Sequence, residues 1–354
     1  MSEMTHWERV TAAMNRQKPD RVPKELSFTP ALQAKFEEMT GQKNAHEYFD
    51  CDTAGVGFRG SGVATDWSQW YPQGLPENAS YGEYGGANIP GTFYHFNRYD
   101  FPLKNATTLQ EFEEFPWPDF TPPARHQHLE ADVKRLHDDG WWVSGGVGHI
   151  WENAWQVTSM EKLMMDFIEH PDQAAYLLDR IMEDRKFQAV RYAQAGCDMI
   201  LCGDDVGMQH KLMMSPNMWR EWLKPRWKQV WDAAREANPA VHIWYHSDGN
   251  IEDIIPDLIE IGMTILNPVQ PECMDPEKLK AQYGQQVAFW GCVGTQTVFP
   301  FGTPDEMRQT IKWLIETVGK DGGLLLAPTH VLEPDVPWEN VVAFAEAIEE
   351  YGRY

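Results

Sequence analysis

From Trp141 onward, short β-rich runs and helix-period segments alternate without a break, and this restricts the architecture more than any other feature of the chain. Extended to the amino terminus, the pattern predicts eight strands: Arg21 to Phe28, Thr53 to Phe58, Trp141 to Val147, Met199 to Gly203, Val241 to Tyr245, Met263 to Asn267, Val287 to Gly291 and Gly323 to Ala327. Helices are predicted at Glu161 to Phe167, Pro171 to Ala195, Ser215 to Asn238, Asn250 to Ile261, Asp275 to Tyr283, Thr303 to Val318 and Pro337 to Tyr351. Ser215-Pro216, Asp275-Pro276 and Thr303-Pro304 each set a capping oxygen before a proline, whose missing N–H is no loss in a first helical turn. Strict alternation implies a parallel sheet, and eight strands favour an α/β fold closed as a (β/α)8 TIM barrel.

Composition does not separate the halves of the 354 residues, so one domain spanning 1–354 is expected. Arg59 to Arg125 interrupts the rhythm after the second strand with Gly, Pro, Trp and Tyr, including Asp66 to Tyr71 and Gly91 to Phe96. So aromatic an insertion reads either as a lid over a binding site or as a surface hairpin that pads the barrel. The formal net charge of -23 repels phosphate backbones and anionic lipid, which excludes nucleic acid and membrane surfaces as partners. Five unpatterned cysteines argue against a disulfide scaffold. With a charged amino terminus and no membrane-length apolar run, they point to the cytoplasm.

Barrel enzymes carry their chemistry on the loops that follow the strands. Gly148-His149-Ile150-Trp151-Glu152-Asn153 follows the third run and Asp204-Asp205-Val206-Gly207 the fourth. The fifth delivers His246 and Asp248, and the sixth Asn267, Gln270 and Glu272. Cys292, Thr295 and Gln296 follow the seventh, Thr329 and His330 the eighth. Imidazole and carboxylate converging from separate strands suit a divalent metal. The ligand set of first choice is His246, Asp248 and His330, with Glu152 or Cys292 as a fourth. Asp204, Asp205 and Glu152 are candidate catalytic carboxylates. Asp204 and Asp205 read equally as acceptors for nearby backbone N–H groups. Trp151 and Trp67, with Asn267, Gln270 and Gln296, are candidate substrate contacts, and Trp70 and Trp155 further aromatic walls. Trp219, Trp222, Trp227 and Trp231 fall in one predicted helix, where packing accounts for them. Neither a Gly-x-Gly-x-x-Gly or phosphate loop nor a Gly-x-Ser-x-Gly elbow occurs.

Several segments together resemble the uroporphyrinogen decarboxylase superfamily over nearly the whole chain. They are Thr5 to Met14 with Pro19 to Pro23, Gly203-Asp-Asp-Val-Gly207, His246-Ser-Asp-Gly249, Leu266 to Pro271, and Ala327-Pro-Thr-His330 with Pro334 to Pro337. The decarboxylases of that superfamily grip substrate carboxylates through a Met-Arg-Gln-Ala-Gly-Arg segment. Here Pro23 to Leu32 carries no arginine. The resemblance is closer to the corrinoid methyltransferase branch, whose zinc site takes a His-x-Cys pair and a later cysteine. His246 matches the histidine, whereas Asp248 replaces the first thiolate, and Thr329 or His330 the last.

Imidazole and carboxylate ligands leave Zn2+, or another divalent ion, more electrophilic than thiolates do. The resemblance therefore implies a methyltransferase that demethylates a methoxylated, aromatic substrate. The methyl group passes to the cobalt of a cobalamin carried by a separate corrinoid protein, because this chain lacks an Asp-x-His-x-x-Gly motif. Relatives of this fold pair as homodimers. Competing readings are a decarboxylase or lyase acting on a smaller acid, and a non-catalytic ligand-binding barrel.

Overall fold

The computed structural model describes residues 3–91 and 97–354. Its main sheet comprises β1 (Thr53–Val56), β5 (Trp142–Gly148), β6 (Met199–Gly203), β7 (His242–His246), β8 (Ile265–Asn267), β9 (Ala288–Val293) and β10 (Leu324–Pro328). All neighbours pair in parallel, in the order β1-β5-β6-β7-β8-β9-β10. β2 (Ser80–Tyr81), β3 (Ala87–Ile89) and β4 (Arg98–Asp100) form a small antiparallel sheet inside the insertion.

The first expected strand, Arg21 to Phe28, is not a regular one. It joins β10 and the segment after it through isolated parallel bridges, Lys24 to Leu326 and Phe28 to Leu332. Toward β1 the amide of Asp52 bonds the carbonyl of Lys24 at 3.0 Å. Pro23 has no N–H to give, and the amide of Lys24 donates to the side chain of Asp52, so a continuous ladder cannot form. This segment nevertheless spans the gap between β10 and β1, giving the TIM-barrel-like closure anticipated from the alternation.

Two apolar layers result. One fills the space between sheet and helices, and the other includes Trp142, Met199, Ile265, Ala288, Trp290 and Leu325 inside the ring. The helix His6–Met14 contributes Val10, Ala13 and Met14 to that inner layer and so stops the end of the barrel remote from the strand carboxyl termini. A reciprocal Thr5/Glu8 capping box begins this helix.

The helix expected over Ser215 to Asn238 is two, Pro216–Trp222 and Lys224–Ala237, because Pro225 cannot donate to the preceding turn. The loop expected after β5 coils into a helix, Trp151–Thr158. Of the insertion, Thr92 to Phe96 lie outside the described residues. Its remainder packs on the barrel's helices. Tyr84 donates to Asp184 at 2.8 Å, Arg180 to the carbonyl of Pro118 at 2.8 Å, and the amide of Leu103 to the carbonyl of Val157 at 2.9 Å. No helix among the described residues is long and apolar enough to cross a membrane.

The segment that closes the barrel is anchored by buried charge. Asp52 is fully buried and accepts from Arg9 at 2.8 Å, Arg21 at 2.7 Å, His6 at 2.9 Å and the amide of Lys24 at 2.9 Å. Burial alone would raise its carboxyl, but the His6 bond and the Arg21 and Arg9 guanidiniums outweigh that and hold it at about 2. Asp20, bonded to Arg9 at 2.7 Å, is likewise held at about 2 against its own burial.

Asp52→Asn takes the shared carboxylate from two buried guanidiniums, which keep Asp20 and Asp50 as partners, and is expected to cost about 3 kcal/mol in urea denaturation. A carboxyl held below its unfolded value, about 3.9, contributes fully above that pH and loses its contribution as pH falls toward 2. The stability of the wild type should therefore drop more steeply than that of Asp52→Asn between pH 4 and pH 2.

Candidate functional site

The carboxyl ends of β5, β6 and β7 carry adjoining clusters. In the first, Asp204 is fully buried and accepts three N–H groups: Ile150 at 2.8 Å, Trp151 at 2.7 Å and the Trp227 indole at 2.6 Å. Two of these donors open the helix Trp151–Thr158, so Asp204 acts as its cap from a neighbouring loop. The backbone-acceptor reading of Asp204 describes its position. Trp227, assigned to packing in the sequence, carries the third donor.

Glu152 follows in the same helix. Its Oε1 accepts from the amide of Asp205 at 2.6 Å and lies 3.2 Å from His149 Nδ1, while its Oε2 is buried without a partner. Burial, reinforced by the Asp205 carboxylate, pushes the Glu152 carboxyl up to about 8. Burial and the proximity of Glu152 raise that of Asp204 well above the usual range. Glu152 disfavours the charge of Asp204 and Asp205 that of Glu152, so the buried pair retains a proton at neutral pH. His149 Nδ1 faces the carbonyl of Gly203 at 2.8 Å, and burial lowers this imidazole toward the neutral form.

The second cluster is Asp205, His246 and Asp248, whose ligand atoms all lie within 4.8 Å of one another. His246 Nδ1 is 2.6 Å from Asn267 Oδ1, and the Asn267 amide nitrogen is committed to the carbonyl of Trp290 at 3.0 Å. An amide oxygen only accepts, so Nδ1 carries a hydrogen and Nε2 is the nitrogen that can offer a metal its lone pair. That lone pair lies 3.5 Å from Asp205 Oδ1 and 3.8 Å from Asp248 Oδ1. Two metal bonds of about 2.1 Å at a tetrahedral angle separate their ligand atoms by roughly 3.4 Å. Asp248 Oδ1 is buried without a hydrogen-bond partner. Burial raises its carboxyl, and the His246 imidazole opposes that shift. A bare nitrogen beside an orphaned buried oxygen and a second carboxylate fits a hard divalent ion.

The two loops that bear these carboxylates touch. A Cβ on Gly207 would stand 2.3 Å from the carbonyl oxygen of Asp248, and Gly249, at φ +79°, packs back against Gly207. Only glycine permits this approach. Asp205 Oδ1 also accepts the amide of Asp248 at 2.8 Å.

Two of the residues expected as ligands lie together. His246 and Asp248 converge, and their companion is Asp205, which sequence reading had placed among the catalytic carboxylates. His330 lines the same cavity as His246 but stands outside the cluster. Cys292 does not join it. Gly291 at φ +118° and Cys292 at φ +67° break the strand's alternation, and the thiol lies in the layer outside the sheet. Burial pushes that thiol up to about 12, which keeps it protonated and a poor ligand.

The expected substrate contacts divide similarly. Asn267 orients His246. Gln270 accepts the amide of Gly249 at 2.6 Å. Trp151 is fully buried beneath the rim, and Trp67 packs inside the insertion against Phe115. Gln296 is exposed, with its amide on Glu272 Oε1 at 3.3 Å.

Beneath His246 lies a cavity of about 260 Å³, lined among others by Glu25, Ser27, Trp244, Asn267, Trp290 and Thr329. Glu25, Ser27, Trp244 and Trp290 went unread as site residues. Trp244 and Trp290 alternate with outward-facing residues in β7 and β9, a period that places them inside the ring.

The family model described as uroporphyrinogen decarboxylase (URO-D) matches residues 103–351. The chain belongs to the uroporphyrinogen decarboxylase family. Among solved structures it is similar to a methyltransferase from Methanosarcina mazei, at TM-score 0.70 and 20% identity, covering 99% of both chains. That agreement extends the shared fold to the part of the chain before residue 103. A B12-independent methionine synthase from a Shewanella species matches only at TM-score 0.42 and 12% identity, over 62% of this chain and 64% of that one. No individually curated protein matches in sequence.

Asp204→Asn presents an NH2 group to at least one of the three N–H donors. It should lower stability by about 1–3 kcal/mol, read from the guanidinium unfolding midpoint.

Proposed function

We propose that this protein is a methyltransferase that moves a methyl group from a methoxylated, aromatic substrate to the cobalt of a separate corrinoid protein. The observation that carries the reading is the convergence of Asp205, His246 and Asp248, with Nδ1 of His246 held by Asn267 and no thiolate in reach. Those three residues would hold a Zn2+ or similar ion, which when bound supplies Lewis acidity toward an ether oxygen. Family membership and the likeness to the M. mazei methyltransferase support the same direction.

The chain's own residues have definite parts in this scheme. Trp244 lies flat against His246, at 5.5 Å between ring centroids and 11° between planes, and forms with Trp290 an apolar wall for an aromatic ring. The methyl carbon–oxygen bond breaks with its electron pair going to oxygen, while the electron pair of cobalt(I) forms the new cobalt–carbon bond. Glu152 holds a proton beside Asp205 and stands ready to neutralise the departing oxyanion. The described insertion flanks this rim through Tyr84 and Leu103, and we assign it the role of a wall of the site. A decarboxylase acting on a polycarboxylate would need cationic anchors, and among the described residues no Lys or Arg lines the cavity.

Incubation with cobalt(I) cobalamin and a panel of methoxyarenes should yield methylcobalamin, followed optically. Purified protein should hold one divalent ion per chain, lost together with activity in His246→Ala and Asp248→Ala. Asn267→Ala frees the imidazole to rotate and should weaken metal affinity about 10–100-fold. Transfer that persists undiminished in chelator and in His246→Ala would reject the metal-assisted scheme.

A further inference from the structure

We propose that Glu25 selects the substrate. It makes the cavity a site for an uncharged arene with an O–H or N–H donor opposite its methoxy group, and it excludes carboxylated arenes. The identity of the reaction rests on the methyltransferase reading, but the charge of the pocket does not.

Glu25 lies in the segment that closes the barrel, where its amide bonds the carbonyl of Leu326 at 3.0 Å. Its side chain reaches the cavity that His246 and His330 border on the rim side. There its position is fixed from both oxygens: Trp290 Nε1, on a side chain only 3% exposed, donates to Oε2 at 2.9 Å, and Ser27 Oγ donates to Oε1 at 3.2 Å. A carboxylate offers about four acceptor positions, so two donors leave lone pairs for a substrate.

No lysine or arginine among the described residues offsets this charge. The nearest by sequence, Lys24, is buried and ion-paired with Glu349. The described lining residues include no Lys or Arg. At the rim stand Asp205 and Asp248, the proposed metal ligands, so the ether end and the Glu25 end of the cavity are chemically distinct. A substrate lying against the wall that Trp244 and Trp290 form, edge to face at 6.4 Å between ring centroids, places its methoxy group by His246 and its far end by Glu25. A hydroxyl there donates to the carboxylate. A carboxylate there meets like charge in a confined site, which neither partner relieves.

The test uses three one-ring probes that differ only at the position para to methoxy: 4-methoxyphenol, anisole and 4-methoxybenzoate. Their binding to the metal-loaded protein is measured by calorimetry. The phenol is expected to bind about tenfold tighter than anisole, and the benzoate more weakly than either. In Glu25→Gln, which keeps an acceptor and the side-chain shape, the benzoate should gain at least about tenfold while the phenol changes little. Benzoate binding to the wild type as tightly as the phenol overturns the proposal. So does an unchanged phenol-to-benzoate ratio in Glu25→Gln, or the failure of all three to bind. The wild-type order decides alone if the variant does not fold. Should the expected order hold while no probe methylates cobalt(I), Glu25 selection stands and the methyltransferase reading falls.

Discussion

The site depends on the way one buried carboxylate is satisfied. Asp204 gathers donors from the helix Trp151–Thr158 and from Trp227 in the helix Lys224–Ala237, so the loop after β6 has a single position relative to both. Leaving such a group unpaired would be costly, and that cost enforces the geometry. From it the rest follows in steps of one hydrogen bond. Glu152 takes the amide of Asp205, and Asp205 takes the amide of Asp248. The loops following β5, β6 and β7 are thereby cross-linked by carboxylates that each bind the next residue's backbone. A network of this kind stiffens as a unit, because each polarised bond strengthens its neighbours.

Much of the architecture was legible from periodicity. β6 lies where the apolar run predicts it, and the other six barrel strands fall within two residues of their expected limits at every end. The exceptions have local causes. Arg21 to Phe28 reads as a strand by composition, yet Pro23 and the Asp52 side chain remove the amides that a ladder needs. The helix Trp151–Thr158 was hidden because its cap sits far away in sequence, in Asp204. A rule that looks for the capping residue just before the helix cannot find it.

The site was legible by residue type rather than by role. His246 and Asp248 were recoverable because a strand end is where barrel side chains meet. Asp205 was visible as well, but its partner in space belongs to the next loop, and only the contact between Gly207 and Gly249 reveals that. Cys292 was a candidate because it follows the seventh run, and two left-handed residues in succession turn its thiol out of the ring. The resulting donor set is one nitrogen with carboxylate oxygens. A centre so composed favours harder, oxygen-seeking ions over soft ones, in contrast with a thiolate pair.

The irregular closing segment separates two tasks that a regular strand would combine. Barrel strands that line a cavity are also tied into ladders on both sides, so replacing a lining residue disturbs pairing and register. Residues 21–28 touch their neighbours at a few bridges and are held mainly by side-chain charge at Asp52 and Lys24. Glu25 and Ser27 therefore occupy a wall panel that can be refitted without rebuilding the frame. Within this family, divergence of the cavity's chemistry is expected to concentrate in that panel, where a change of residue leaves the ring intact.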